Sequence, residues 1–372
     1  MGRAMLNADV VIVGGGPAGS SCAWKLRRTG HSVILLDKAS FPRDKVCAGW
    51  ITPGVLCALN IDAEHYAAGG RVLQPITAFR TSWMGGREVL TRYTRPVSYG
   101  IRRCEFDSYL VERSGAQVHC GITVERIERA AGRWIINERF SAPYLIGAGG
   151  HFCPVARLLN PGLREDIVAA QEIEFRLNAA QEDRCAIDRD IPELYLCHDL
   201  KGYGWCVRKG PYLNVGFGRQ DRHDLPRQIR RFLQFLIADR RVPDDVPQKW
   251  SGHAYLLYGS TARRVRCDGA VLVGDAAGMA YAQSGEGIRP AIESALLAAE
   301  AIAAADGNHE RLEMYERSLQ SRFGGRSAAF PNLPRGLING LAPHLLRSRW
   351  FTRHVLLDRW FLHAHQQALP AM

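Results

Sequence analysis

Four consecutive apolar residues, Val10 to Val13, run into Gly14, Gly15 and Gly16, and beyond Pro17 the apolar spacing changes: Ala18, Cys22, Ala23 and Leu26 recur at helical intervals as far as Gly30. A short unbroken apolar run closed by glycine reads as a buried strand, and recurrence every three to four residues reads as a helix. The chain therefore predicts strand, tight turn and helix in that order, with Pro17 at the first helical position, where a missing N–H costs nothing. His31 to Asp37 repeats the buried-strand pattern and ends in a carboxylate. Tyr144 to Gly150 and Gly269 to Gly274 predict two further core strands, and Gly287 to Ala305 an alanine-rich helix. Arg103 to Leu110 starts a helix, and Val118 to Arg126 reads as a strand.

The middle of the chain has another texture. Gly69 to Tyr99 is rich in β-formers broken by Gly85-Gly86, which predicts a hairpin. Gln171 to Leu177, Leu194 to Cys197 and Tyr212 to Gly218 alternate, as strands of an antiparallel sheet do. In the helix that follows, Leu225, Ile229, Phe232, Leu233 and Leu236 share one face. Phe41 to Pro53, with a proline at each end and glycine within, is a loop. The expectation is an α/β protein: a Rossmann-like nucleotide-binding domain with a central parallel sheet (1–70, 98–166 and 255–310), a smaller antiparallel-sheet substrate domain (71–97 and 167–254), and a C-terminal helical segment (311–372).

Gly14, Gly16 and Gly19 fill the G-x-G-x-x-G positions, where the first allows the turn, the second admits a pyrophosphate and the third lets helix pack on strand. Asp37 lies roughly 20 residues on, where an acceptor for ribose hydroxyls belongs. Tyr144 to Gly150 lacks a third glycine at that spacing, so one dinucleotide site is expected. With 372 residues, 47% of them hydrophobic, a large core is within reach. The ten cysteines are scattered singly, which indicates neither a disulfide framework nor a metal site and fits a reducing cytoplasm. The N-terminal apolar run is too short for a signal peptide, and none reaches the ~18 to 20 residues of a membrane helix. A formal net charge of +11 suits an acidic surface or substrate, but the arginines are spread evenly and no nucleic-acid module accompanies them, so a nucleic-acid partner is not expected.

The stretch Ala270 to Ile302, AVLVGDAAGMAYAQSGEGIRPAIESALLAAEAI, resembles the second FAD motif of the flavoprotein superfamily that holds aromatic hydroxylases, flavin halogenases and geranylgeranyl reductases. The geranylgeranyl reductase group is matched best. Its style is seen in GEGI (Gly285 to Ile288), in the AxES turn (Ala291 to Ser294), in the loop KVCAGW (Lys45 to Trp50, similar to KxCGG), in Tyr203 to Gly218 (similar to YxWxFP…GxG), and in Arg103 with Phe106 and Asp107. Departures are Gly149 where hydroxylases carry the aspartate of GADG, Val207-Arg208 in place of FP, and CAG in place of CGG.

The resemblance implies FAD as cofactor. Gly14, Gly16, Ala18 and Gly19 would take the pyrophosphate, Asp37 the adenosine ribose, the backbone near Val124 the adenine, and Arg103 a phosphate or the flavin edge. Asp275 would accept from ribityl hydroxyls, amides near Gly287 and Ile288 would stabilise negative charge at N1/O2 of reduced flavin, and Cys47, Ala48 and Gly49 would lie beside the isoalloxazine. It also implies a two-electron reduction: flavin N5 gives hydride to one carbon of an isoprenoid C=C, a proton reaches the other carbon, and NAD(P)H or another donor re-reduces the flavin. Cys47 and Tyr203 are the candidate proton donors. The alternatives are a flavin monooxygenase acting on an aromatic or polyketide compound, and a flavin-binding protein without turnover.

In the tail, a helix over Leu345 to Leu362 would place Leu346, Trp350, Leu357, Trp360 and Phe361 on one face and Phe351, Val355 and Leu362 nearly opposite, with basic residues between. A helix apolar on two sides is sandwiched. The outer side would meet lipid, substrate or a partner, so the expectation is a cytoplasmic protein with an apolar or lipid substrate and a peripheral contact with the inner face of the membrane.

Overall fold

The computed structural model describes residues 4–199, 201–220, 224–260, 263–305, 307–324 and 344–370. The chain forms two compact units: 1–44, 104–166 and 255–329 make the first, and 45–103, 167–254 and 330–372 the second. The segments 45–70 and 98–103, expected with the nucleotide domain, group with the second unit, because Trp50–Ile51 and Leu73–Ile76 both pair with Ser98–Ile101 in a three-stranded sheet. The described part of the tail, 344–370, expected to stand apart, groups there too, with Phe361 against Trp50 and Tyr203.

The first unit is built on a six-stranded sheet in the order Arg266–Cys267, Ala270–Leu272, Tyr144–Gly147, Val10–Val13, Val33–Asp37, Gln117–Cys120. All of it is parallel except the Arg266–Cys267 edge. Val10–Val13 and Val33–Asp37 are buried along their whole length, as strands covered on both faces must be. The register puts Val13, Gly147, Leu272 and Leu36 in one row. Gly14, Asp37 and the Gly274–Ala277 turn therefore leave the sheet along a single edge. Helices Pro17–Arg28 and Ile288–Ala305 pack side by side, with Lys25 Nζ 3.4 Å from Glu300. A second sheet is formed by Leu6–Asn7, Phe140–Ala142, Arg133–Ile136 and Ile127–Ala130. The strand expected over Val118 to Arg126 ends at Cys120, because Gly121 turns the chain at φ +70°.

The second unit centres on a seven-stranded sheet in the order Ser251–Tyr255, Val168–Arg176, Tyr212–Arg219, Gly202–Lys209, Glu193–Leu196, Ala78–Trp83, Val89–Arg92. Neighbours are antiparallel wherever the register is defined, except Glu193–Leu196 beside Ala78–Trp83. Side chains alternate across the sheet. One face carries Ile173, Tyr195, Cys206, Leu213, Val215 and Phe217, covered by helix Leu225–Ala238, all five of whose expected core positions are buried. The opposite face carries Glu172, Glu174, Tyr203, Trp205, Lys209 and Asn214.

The tail departs from its expected winding. Arg349–Phe351 is α-helical, but Thr352–Phe361 is a π-helix. Bonding from i to i+5 widens each turn, so Thr352, Leu356, Leu357 and Phe361 merge into one buried stripe. The two opposed apolar faces do not form. Trp350 is 67% exposed, while Phe351 and Val355 are only half-buried and Leu362 is buried. The part of the tail between 325 and 343 lies outside the described residues.

Candidate cofactor and substrate sites

In the first unit the glycines of the turn separate into two kinds. Gly14 has φ +111°, and a Cβ there would lie 2.4 Å from the Ala148 carbonyl oxygen; a Cβ on Gly19 would lie 1.8 Å from the Gly14 carbonyl oxygen. Both are glycine because strand, turn and helix leave no room. Gly16 differs: its backbone is ordinary extended (φ −73°, ψ −176°), and a Cβ would meet only the end of Arg43, at 3.5 Å. The space beside Gly16 is what an approaching pyrophosphate needs. Gly16 caps helix Pro17–Arg28, whose first turn has no side-chain cap and no acidic residue. The Ala18 and Gly19 amides fall among the donors that a helix start leaves without an intrahelical acceptor, and the helix dipole adds partial positive charge.

Arg43, which the sequence reading passed over, supplies a cation beside this turn. Its guanidinium lies over the Phe41 ring (5.0 Å) and 3.3 Å from the fully buried Asp107 carboxylate. Asp37 accepts the Gly15 amide (2.7 Å) on one oxygen and the Ala39 amide (2.8 Å) on the other, so its carboxylate is fixed at the strand end. A carboxylate oxygen has lone pairs for more than one donor, which leaves acceptor capacity for ribose hydroxyls. Val124 sits half-buried on the connection after Cys120, between Thr123 and Glu125, whose backbones are both held by Asn137.

Asp275 lies in the turn after Ala270–Leu272, and a Cβ on Gly287 would be 3.4 Å from its Oδ1, so the structure brings Asp275 and Gly287 together. Gly274, at φ +60°, admits close packing: its Cβ would be 3.0 Å from Ala18 and 3.1 Å from Ala291. The AxES residues are not a turn. They lie within helix Ile288–Ala305, and the Ser294 hydroxyl accepts the Gly274 amide at 3.0 Å. The Glu286 carboxylate accepts the Arg289 amide (2.7 Å) at the start of this helix, beside Gly287 and Ile288. Burial pushes Glu286 up to about 7 against the opposing pull of that amide and of the Arg289 charge. Farther along the helix, buried Glu293 binds Arg289 (2.9 Å) and Arg322 (2.6 Å).

In the second unit the Cys47–Gly49 loop is gripped by its main chain. Asn214 Nδ2 donates to the Cys47 carbonyl (3.3 Å), and Ile101 N–H donates to the Gly49 carbonyl (2.7 Å). Gly49, at φ +67°, has Lys209 Nζ 2.3 Å and the Ile101 carbonyl oxygen 2.6 Å from where a Cβ would sit, so the loop itself demands this glycine. Ala48 is half-buried beside it, and Arg103 is buried at the start of helix Arg103–Glu112. Beneath the loop lies a polar cluster that the sequence did not reveal. Lys209, fully buried, donates to Glu174 (2.6 Å); Asn214 donates to Glu172 and Glu174 (both 3.2 Å) and accepts from Trp205 Nε1 (2.7 Å); Arg102 reaches Glu174 at 3.3 Å. Burial pushes Glu172 up to about 7, against the opposing effect of Lys209. Burial also pushes Glu174 upward, but Lys209, Asn214 and Arg102 outweigh it and hold that carboxyl below its ordinary value.

Farther along the same sheet face the lining turns aromatic. Trp205 lies over Gly216, where a Cβ would be 2.0 Å from the indole ring, and Tyr203 packs on Trp205 (5.9 Å) and Phe361 (5.3 Å). Trp50 bridges Phe79 (6.0 Å) and Phe361 (6.3 Å). Val207 is buried on this face, whereas Arg208 points away from it to Glu182 (2.9 Å). Tyr203 pairs with Gly218 and Val207 with Asn214, so Tyr203 and the Cys47 clamp are four residues, roughly 13 Å, apart along the strand.

A parallel sheet with a glycine turn, an uncapped helix start and a fixed carboxylate on one edge defines a dinucleotide-binding protein. The family model for FAD dependent oxidoreductases matches residues 9–92. An uncharacterized protein of Methanosarcina barkeri is 30% identical over 356 residues, 91% of this chain and 82% of that protein. A digeranylgeranylglycerophospholipid reductase of Methanocaldococcus jannaschii is 26% identical over 83% of this chain and 81% of its own length, and a menaquinone reductase of Mycobacterium tuberculosis 28% identical over 81% and 78%. The fold matches a solved geranylgeranyl bacteriochlorophyll reductase-like protein of Thermoplasma acidophilum with a TM-score of 0.73 and 22% identity, covering 92% of this chain and 88% of that one. The chain belongs to the FAD-dependent oxidoreductases, with geranylgeranyl-type and menaquinone reductases among its relatives, and its cofactor is FAD.

Proposed function

We propose that this enzyme reduces carbon–carbon double bonds of a polyprenyl, geranylgeranyl-type substrate. The observation that carries the reading is the two-part face of the seven-stranded sheet. An uncharged stretch of Trp50, Phe79, Tyr203, Trp205 and Phe361 suits a long apolar chain, and it runs toward the Cys47–Gly49 loop, where polar groups gather. The names of the methanogen and mycobacterial relatives, reductases of a lipid and of a quinone, support an apolar substrate.

Bound FAD, once reduced by NAD(P)H or another donor, would supply the hydride for one alkene carbon; the protein would supply orientation, dryness and a proton. The first unit is the cofactor domain: the Ala18 and Gly19 amides with Arg43 hold the diphosphate, and Asp37 and Asp275 accept from sugar and ribityl hydroxyls. The Val124 backbone meets the adenine. The second unit is the substrate domain: its aromatic face orients the chain and excludes water, and Cys47 Sγ or Tyr203 Oη gives the proton to the second carbon. Full-length protein with dithionite-reduced FAD and a geranylgeranyl lipid is expected to yield products heavier by two hydrogens per bond reduced, read by mass spectrometry. Substrate returned unchanged, or hydroxylated with matching oxygen uptake, would overturn the reading. A Cys47→Ala variant with an unaltered reduction rate would leave Tyr203 as the donor.

An apolar substrate also suits contact with a lipid surface, although no helix among the described residues is long and apolar enough to cross a membrane. Exposed Trp350 and Leu345 stand among exposed Arg347, Arg349 and His354, a mixture suited to an anionic interface. The protein is expected to pellet with anionic vesicles at low salt and to be released by Trp350→Ala or by 0.5 M salt, taken as roughly a 4 Å screening length. Failure to pellet at low salt would refute the contact.

A further inference from the structure

We infer that Arg263, gripped by Glu165, is a positioning residue for Asp275: it fixes the exit of the turn that carries this carboxylate. The inference rests on the proposed reading of Asp275 as the acceptor of ribityl hydroxyls and deepens it. The turn Gly274–Ala277 has no side-chain cap, and glycine, alanine and alanine surround its one polar residue. Gly274 at φ +60° and Gly278 at φ +69° let the chain bend sharply there but give it nothing to hold. Two groups from outside pin it instead. On entry, the Ser294 hydroxyl accepts the Gly274 amide at 3.0 Å and donates to the Ala291 carbonyl at 3.1 Å, which ties the turn to helix Ile288–Ala305. On exit, Arg263 Nη1 donates to the Ala276 carbonyl at 2.6 Å and reaches that of Asp275 at 3.5 Å. Asp275 stands between the two anchors.

Arg263 serves as an anchor because the rest of its guanidinium is committed. Nε and Nη2 donate to the two carboxylate oxygens of Glu165 at 2.7 and 2.5 Å. Such a two-bond pair sets the plane of the fork, which a lysine ammonium cannot reproduce. Each of the two side chains is only 8% exposed, so neither swings out into water. Glu165, Arg263, the turn and Ser294 all belong to the first unit. Were Arg263 needed for the fold alone, its loss would weaken every part of the cofactor site alike. Asp275 concerns the ribityl chain only, and ADP has the adenosine and diphosphate of FAD without that chain. The ratio of FAD to ADP affinity therefore separates positioning from general support.

The test uses full-chain apoprotein, titrated with FAD by flavin fluorescence and with ADP by calorimetry. The double variant Arg263→Met with Glu165→Gln leaves no buried charge without its partner. It is expected to bind FAD about 10-fold more weakly, with ADP affinity unchanged. Arg263→Lys keeps the charge but cannot hold Glu165 and the Ala276 carbonyl together, and about a 3-fold loss for FAD alone is expected. In an Asp275→Ala background the double variant should cost no further FAD affinity, because the residue being positioned is gone. Unchanged FAD affinity in both Arg263 variants, equal losses for FAD and ADP, or a loss that adds to that of Asp275→Ala would overturn the inference. Wild-type FAD affinity in Asp275→Ala itself would overturn the ribityl assignment, and the inference with it; a selective loss there with none in the Arg263 variants would overturn the inference alone.

Discussion

Gly16→Ala is expected to give a folded protein that no longer retains its flavin. The residue has an ordinary extended backbone, and a methyl group would meet only the flexible end of Arg43 at 3.5 Å, so the apo fold should be disturbed by less than about 1 kcal/mol. The same methyl group would stand where the diphosphate approaches the helix start, and FAD affinity is expected to fall at least about 100-fold, or about 3 kcal/mol. Gly19→Ala should fail in the opposite order. Its Cβ would lie 1.8 Å from the Gly14 carbonyl oxygen, so helix and strand must separate, at about 3 kcal/mol or more of fold stability. Flavin fluorescence titration of apoprotein together with denaturant unfolding separates the two. Equal loss of stability in both variants would mean that Gly16, too, is a requirement of the fold.

The second large effect is expected at Lys209. This fully buried cation is paired with Glu174 at 2.6 Å. Lys209→Met fills similar volume but leaves Glu172 and Glu174 buried around Asn214 without it, and removal of one partner of a buried pair costs about 3–5 kcal/mol. The sign of the pH dependence follows from Glu172. Its folded value, about 7, lies above its ordinary 4.5, so stability is full below that ordinary value and declines as the pH rises toward 7. Losing Lys209 removes a charge that opposes the upward shift, which extends the decline to higher pH. The difference between wild type and Lys209→Met in urea unfolding should therefore be larger at pH 8 than at pH 5. A difference independent of pH would show that the loss is one of packing alone.

The parallel core was legible because each strand is a short apolar run and each punctuation mark is local: Gly14 after Val13, Asp37 after Leu36, Gly274 after Val273. Helix Leu225–Ala238 was legible for the same reason, since five apolar residues at one spacing specify a face. Arg43 and the cluster beneath Cys47 were not. Glu172, Lys209 and Asn214 look like ordinary polar residues of strands, and only the register across Val168–Arg176, Gly202–Lys209 and Tyr212–Arg219 sets them against a loop more than a hundred residues earlier in the chain. Gly121 did carry a readable signal, a glycine within an apparent strand, as did Glu286, an acid just ahead of a helix. The π winding of Thr352–Phe361 had none, because the i to i+5 choice is made by packing against residues distant in sequence.

The position of Ala270–Leu272 in the six-stranded sheet bears on biosynthesis. This strand pairs with Tyr144–Gly147, and Gly274 beyond it seats Ala18 against Ala291. The opening glycine turn emerges from the ribosome early, yet the wall that completes its surroundings is translated some 250 residues later. Nascent chains halted before about residue 305 should thus bind no flavin, and the wait leaves a bare apolar edge at Tyr144–Gly147 that invites chaperone engagement. Cofactor supply is then a concern for the finished polypeptide, not for the one still being made.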